Sequence, residues 1–252
     1  MVAGQKPVNQ HQAIEFPVIL QAAKQKLTPD RQTYLTSLEN GVVRGDVKDQ
    51  QIRVYRQLAA FWLDTIHYFE LYAYYTGAAA KLENSEKSLT FAAHQFLRQL
   101  KGTNQPLIKQ WMADQAKELF EKALTINPSN DSSKIGLGSC YIFGSSAENP
   151  QEVMTGIQKI LEVAKRDSTN MYAQLMLGVG GVASGQLDKA VERLQKVVDK
   201  EPGNLEGIFM LAEAYERKGD KVNAVKWYEE SKKYISEKQM LTDIDEKIES
   251  LK

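Results

Sequence analysis

Histidine and cysteine, the side chains most often used for nucleophilic and metal chemistry, are few in this sequence and far apart. Its three histidines are His11, His67 and His94. No pair of them has metal-ligand spacing, and neither HExxH nor CxxC occurs. His94 reads as a surface histidine. Cys140, the single cysteine, stands beside Tyr141 in an apolar stretch. It reads as a small buried hydrophobe rather than a nucleophile, and alone it excludes an intrachain disulfide. The run GVGGVA, Gly178 to Ala183, matches GxGxxA literally. A dinucleotide loop needs that run between a strand and a helix, whereas the repeat described below places it inside a helix. There Gly180 and Gly181 weaken the helix by about 1 kcal/mol each relative to alanine. Two stretches that read as insertions, near 103–109 and 144–150, hold Lys109 and Glu148 but no acid–base pair at readable spacing. These residues lead us to expect no catalytic centre, no metal and no cofactor.

Composition narrows the class further. The 252 residues carry 32 lysines plus arginines and 32 aspartates plus glutamates, a formal net charge of zero. A nucleic-acid binder usually shows a basic excess, and a polybasic membrane-surface protein would too. Neither is expected. Charged residues at 25% and hydrophobic ones at 42% are ordinary for a folded soluble chain. No apolar run reaches the eighteen or so residues of a spanning helix, and MVAGQKPVNQHQ has no signal-peptide pattern. The chain reads as soluble, cytoplasmic or periplasmic, with the option that an N-terminal anchor has been removed.

The elements that position these residues are helices in a repeat. Apolar residues recur with a 3.6-residue period, and strand alternation is rare. The segment from Met171 overlays the segment from Leu205 at a spacing of 34: Leu177 over Leu211, Gly178 over Ala212, Gly185 over Gly219, Ala190 over Ala224. Small residues at such positions let two helices approach closely, and large ones fill the grooves between them. Gly185 and Gly219 fall where the turn between paired helices needs positive φ.

This pattern resembles the tetratricopeptide repeat (TPR), with small residues at repeat positions 8, 20 and 27 and large ones at 4, 7, 11 and 24. The resemblance implies an all-α, right-handed solenoid of helix–turn–helix units, 52–85, 86–130, 131–170, 171–204 and 205–238. In the second unit, AKELFEKALTINPSN is a helix B, and its A–B turn is lengthened by about eleven residues around Thr103 to Lys109. The third unit has a six-residue insertion around SSAENP. In the first, Leu71 holds a position where a small residue is usual. In the fourth, Gly181 replaces an aromatic, leaving space for Tyr172, Met176 or a partner's side chain. A helical cap over 13–51 precedes the units, with Pro17 limiting its first helix and Thr28–Pro29 opening its second. A helix over 239–252 caps the other end, and residues 1–12 read as loose. In kind the chain is similar to stand-alone bacterial TPR proteins, the compact Bacteroidetes type often tethered by an N-terminal membrane segment.

In the family, positions 2, 5, 9, 12 and 13 of each helix A line the concave groove. Carried over, these give Ile135, Ser139, Ile142 and Phe143, then Tyr172, Leu175, Val179 and Val182, then Phe209, Glu213 and Arg217. The resemblance therefore implies an apolar groove with an acidic rim at its C-terminal end. Two occupants stay open: a peptide or helix of a partner protein, or the chain itself, through a homo-oligomer or its own N-terminal segment. The chaperone-type carboxylate clamp is missing. Its positions read Arg53, Arg56, Gln57, Ala60, then Lys87, Thr90, Phe91, His94, then Ser132, Ile135, Gly136, Ser139. The resulting expectation is a non-catalytic interaction scaffold.

Overall fold

A computed structural model describes residues 14–44, 47–144 and 150–252. The loose N-terminus over 1–12 and most of the SSAENP insertion lie outside the described residues. Among the described residues the structure is all-α, with no strand. The chain divides into two compact units, residues 1–149 and 150–252.

The first unit holds α1 (Phe16–Lys24), α2 (Pro29–Arg44), α3 (Lys48–Ile66), α4 (Phe69–Glu83), α5 (Glu86–Gly102), α6 (Pro106–Ile126) and α7 (Asp131–Gly144). Pairs α3/α4 and α5/α6 pack most extensively, and α7 lies against α5 and α6. Its core is aromatic and aliphatic, with Trp62, Phe96, Phe120, Leu71 and Leu89 all essentially buried. Leu71 is fully buried although it holds a position where a small residue is usual. Where small residues sit, they set the spacing. A Cβ on Gly136 would stand 2.2 Å from the Phe120 ring, and one on Gly144 would stand 2.2 Å from the Ala113 Cβ.

The second unit holds α8 (Pro150–Arg166), α9 (Met171–Ala183), α10 (Leu187–Lys200), α11 (Leu205–Arg217), α12 (Lys221–Ser231) and α13 (Lys238–Leu251), with a short 3₁₀ turn at Lys232–Tyr234. Pairs α9/α10 and α11/α12 repeat the packing of the first unit. Ala190, Leu194, Val197, Ala212 and Ala224 are completely buried. A Cβ on Gly178 would meet Leu194 at 2.6 Å, which is why position 8 of this unit is glycine. The capping helix α13 covers Ala212, Ala224 and Tyr228 with Ile244, Ile248 and Leu251.

Local rules written in the sequence set the helix ends. Asn130, Asn170 and Asn204 each accept a hydrogen bond from the backbone N–H three residues on, at 2.8, 3.0 and 2.9 Å. These satisfy N–H groups that the helix itself leaves unpaired. Gly185 and Gly219 adopt φ of 77° and 80°. Each closes its turn with Gln186 N–H bonded to Gly181 O at 2.8 Å and Asp220 N–H to Tyr215 O at 2.9 Å, as a left-handed C-terminal cap requires. The first unit makes left-handed turns without glycine: His67, inside the α3/α4 pair, and Asn84, between α4 and α5, both stand at φ 53°.

One expectation needs correction. The lengthened turn around Thr103 to Lys109 is mostly helix. Only Thr103 to Gln105 separate α5 from α6, and Pro106 begins α6 where its missing N–H costs nothing. The extra residues form added turns of α6 that bury Trp111, Met112 and Ala113.

Candidate interaction surface

The groove positions carried over from the repeat do not form an open apolar wall. In α7, Ile135, Ser139 and Ile142 are buried and Phe143 is half-buried. Ser139 is wholly buried because its hydroxyl donates to the Ile135 carbonyl at 2.9 Å, folding its polarity back into the helix. In α9, Leu175, Val179 and Val182 are buried and Tyr172 is half-buried. In α11, Phe209 and Glu213 are half-buried and Arg217 is exposed. The Phe209 ring tilts against Tyr228 at 6.4 Å. Arg217 donates through Nη1 to the Val182 carbonyl. A register names the side of a helix a residue occupies. Whether it meets water depends on the bulk of its neighbours, and here six of the eleven positions are covered within one chain.

The acidic rim is also partly spent. Glu216 accepts from the Lys247 ammonium at 2.6 Å and from the Tyr228 hydroxyl at 2.9 Å. Partial burial would raise its carboxyl, but those two donors outweigh it and hold the group below the usual range. The Tyr228 phenol is pushed up in turn, by burial first and then by Glu216. Asp188 lies at 2.6 Å from Lys218.

The residues first weighed for chemistry fall into packing roles. Cys140 is fully buried, and burial pushes its thiol up, away from the thiolate. His94 shares a hydrogen bond between Nε2 and the Ser132 hydroxyl at 2.9 Å, and its ring meets Phe120 edge-on at 5.0 Å. The GVGGVA run lies inside α9. Gly181, where the family places an aromatic, lies against Ala190, whose Cβ would be 3.1 Å from an added one. The space expected there is closed by the neighbouring helix. Among the described residues no group of histidine, cysteine and carboxylate side chains could hold a metal, and no helix is long and apolar enough to cross a membrane.

An open concavity does exist, in the first unit. Helices α3, α4 and α5 enclose a cleft of about 510 Å³. Ala59, Ala79 and Ala80 make its floor, and all three are buried. Leu63 and Tyr72 wall it, and Phe91, 53% exposed, forms its lip. Arg56, Ala60, Leu63 and Asp64 are the groove positions 5, 9, 12 and 13 of the first repeat's helix A. Arg56 is held at 2.6 Å by Glu83, which also accepts from the Ser88 hydroxyl. Lys87 and Asp64 complete a rim of both charges. The sequence signal for this cleft is a run of alanines opposite Phe91: small side chains leave depth, and an exposed aromatic marks an edge.

Comparison with known proteins agrees with this architecture. The family model for the tetratricopeptide repeat matches residues 112–130 and 205–237, one segment in each compact unit. With its helices in consecutive pairs as well, the chain carries tetratricopeptide-type repeats in both units. Among solved structures, PilW, described as a widely conserved type IV pilus biogenesis factor, aligns at 17% identity and a TM-score of 0.51, over 79% of this chain and 92% of its own. YrrB, described as a TPR protein with an unusual peptide-binding site, aligns at 14% identity and 0.46, over 83% and 97%. MamA from Desulfovibrio magneticus RS-1 aligns at 19% identity and 0.48, over 75% and 96%. No curated protein sequence matches the chain.

Proposed function

We propose that the protein is a non-catalytic interaction scaffold that holds a segment of a partner protein in the cleft between α3 and α5. The carrying observation is the cleft itself, about 510 Å³ with an alanine floor, an exposed aromatic lip and charges only at its rim. Apolar depth supplies affinity and a polar rim supplies orientation, the arrangement typical of protein contact sites. Self-association through the α7, α9 and α11 positions has less support, since most of them are buried in a single chain.

The test is site-specific photocrosslinking from position 91 in the native host, with Ala60→Arg plus Leu63→Glu as the cleft-blocking variant. The expected result is an adduct of defined mass that the blocking variant abolishes while its circular dichroism is unchanged. An adduct that survives blocking removes the cleft from the mechanism. An adduct of twice the chain's mass would assign the cleft to self-association instead.

A further inference from the structure

A second cavity lies among α1 to α4, where Tyr55 and Tyr75 hold positions 4 and 24 of the first repeat. It measures about 280 Å³ and is lined by Phe16, Glu39, Tyr55, Tyr74 and Tyr75 with a few aliphatic neighbours. The rings form two walls at a right angle. Tyr55 and Tyr75 lie near parallel, 6.3 Å apart and inclined by 29°. Phe16 stacks on Tyr74 at 3.5 Å and 11°, and these two stand at 86° and 84° to Tyr75. Such a corner presents the electron-rich faces of some rings and the edges of others. Glu39 adds a carboxylate. It is met by the Lys24 ammonium at 2.8 Å, with both side chains about one-third exposed. The chain thus already sets an ammonium group against this carboxylate. Burial first, and the Glu39 carboxylate second, push the Tyr75 phenol up, so the phenol stays neutral.

From this geometry we infer that the α1–α4 pocket is a binding site for a methylated ammonium ion of choline size. Cations are attracted to ring faces, and aromatic enclosures are the usual way proteins hold quaternary ammonium groups. A neutral guest of the same shape would use the rings' area but gain nothing from Glu39. Lys24 is the resident competitor for that carboxylate, and an arriving cation displaces it toward solvent.

The experiment is calorimetric titration of the full chain with choline and with its uncharged isostere, in which a tert-butyl group replaces trimethylammonium. Choline should bind roughly 10-fold tighter than the isostere, in line with a partly desolvated cation–π contact. Tyr55→Leu should remove most of that preference, Tyr55→Phe should keep it, and Lys24→Met should tighten choline without changing the isostere. Circular dichroism of each variant separates lost binding from lost fold. Equal affinity for choline and isostere overturns the inference, as does the absence of choline binding or an unchanged choline affinity in a folded Tyr55→Leu variant. Cosedimentation with phosphatidylcholine vesicles distinguishes the source: pelleting assigns the lipid headgroup, and choline binding without pelleting assigns the free ion. Either supports the site.

Discussion

Two side chains show how tightly single residues are specified. Gly136 has the Phe120 ring where its Cβ would be. We predict that Gly136→Ala lowers stability by about 1–3 kcal/mol, the usual cost of overpacking a core. Adding Phe120→Leu should recover part of the loss, because the two residues compete for one volume. Urea denaturation of both single variants and the double variant checks this. Cys140 gives a pH signature. Its folded thiol lies above the ordinary value of 9.0, so the folded state keeps a proton that the unfolded chain releases. The resulting stabilisation is complete below pH 9.0 and is lost as pH rises above it. Tyr75 behaves alike from its ordinary 10.0. Denaturation midpoints should therefore fall on alkalinisation, and Cys140→Ala should flatten the first part of that fall. A native thiol that reacts rapidly with an aromatic disulfide reagent would contradict the buried assignment.

At the scale of the helix, the periodicity was readable wherever the rule is local. The turn glycines Gly185 and Gly219, the alanines Ala190 and Ala224 and the cap α13 follow from short-range sequence. What was not legible depends on distant partners. Pro106 reads equally as a loop breaker or as the first residue of a helix, and only the burial of Trp111 and Met112 decides for the helix. Groove exposure was not legible either: Leu175 and Val182 are buried in the folded chain, which the sequence of their own helix does not decide. The aromatic pocket joins Phe16 to Tyr74 and Tyr75 across almost sixty residues of chain, so no window along the sequence shows it. The cap makes a sharp prediction. Removing 238–252 strips Ile244, Ile248 and Leu251 from the core, each worth about 1.5–3 kcal/mol of burial. The truncated protein should melt at lower temperature and associate as concentration rises, since Ala212 and Ala224 become an uncovered apolar face. Scanning calorimetry and light scattering read both effects.

Within each of the two units, helices contact mainly their sequence neighbours. Stability in such arrays is close to a sum of unit terms and nearest-neighbour terms. Damage should therefore stay near its origin: Gly136→Ala is expected to accelerate amide hydrogen exchange in α5 to α7 and to leave α11 to α13 unchanged, which exchange mass spectrometry resolves by peptide. Uniform acceleration would point to one cooperative block. One packing detail carries a practical consequence. Trp111, on the added turns of α6, stacks against Tyr74 at 6.2 Å and 23°, and Tyr74 in turn carries Phe16. The ring ladder links one of the three indoles to a wall of the α1–α4 pocket. Its emission colour and lifetime are thus an optical gauge, built into the native chain, of whatever enters there.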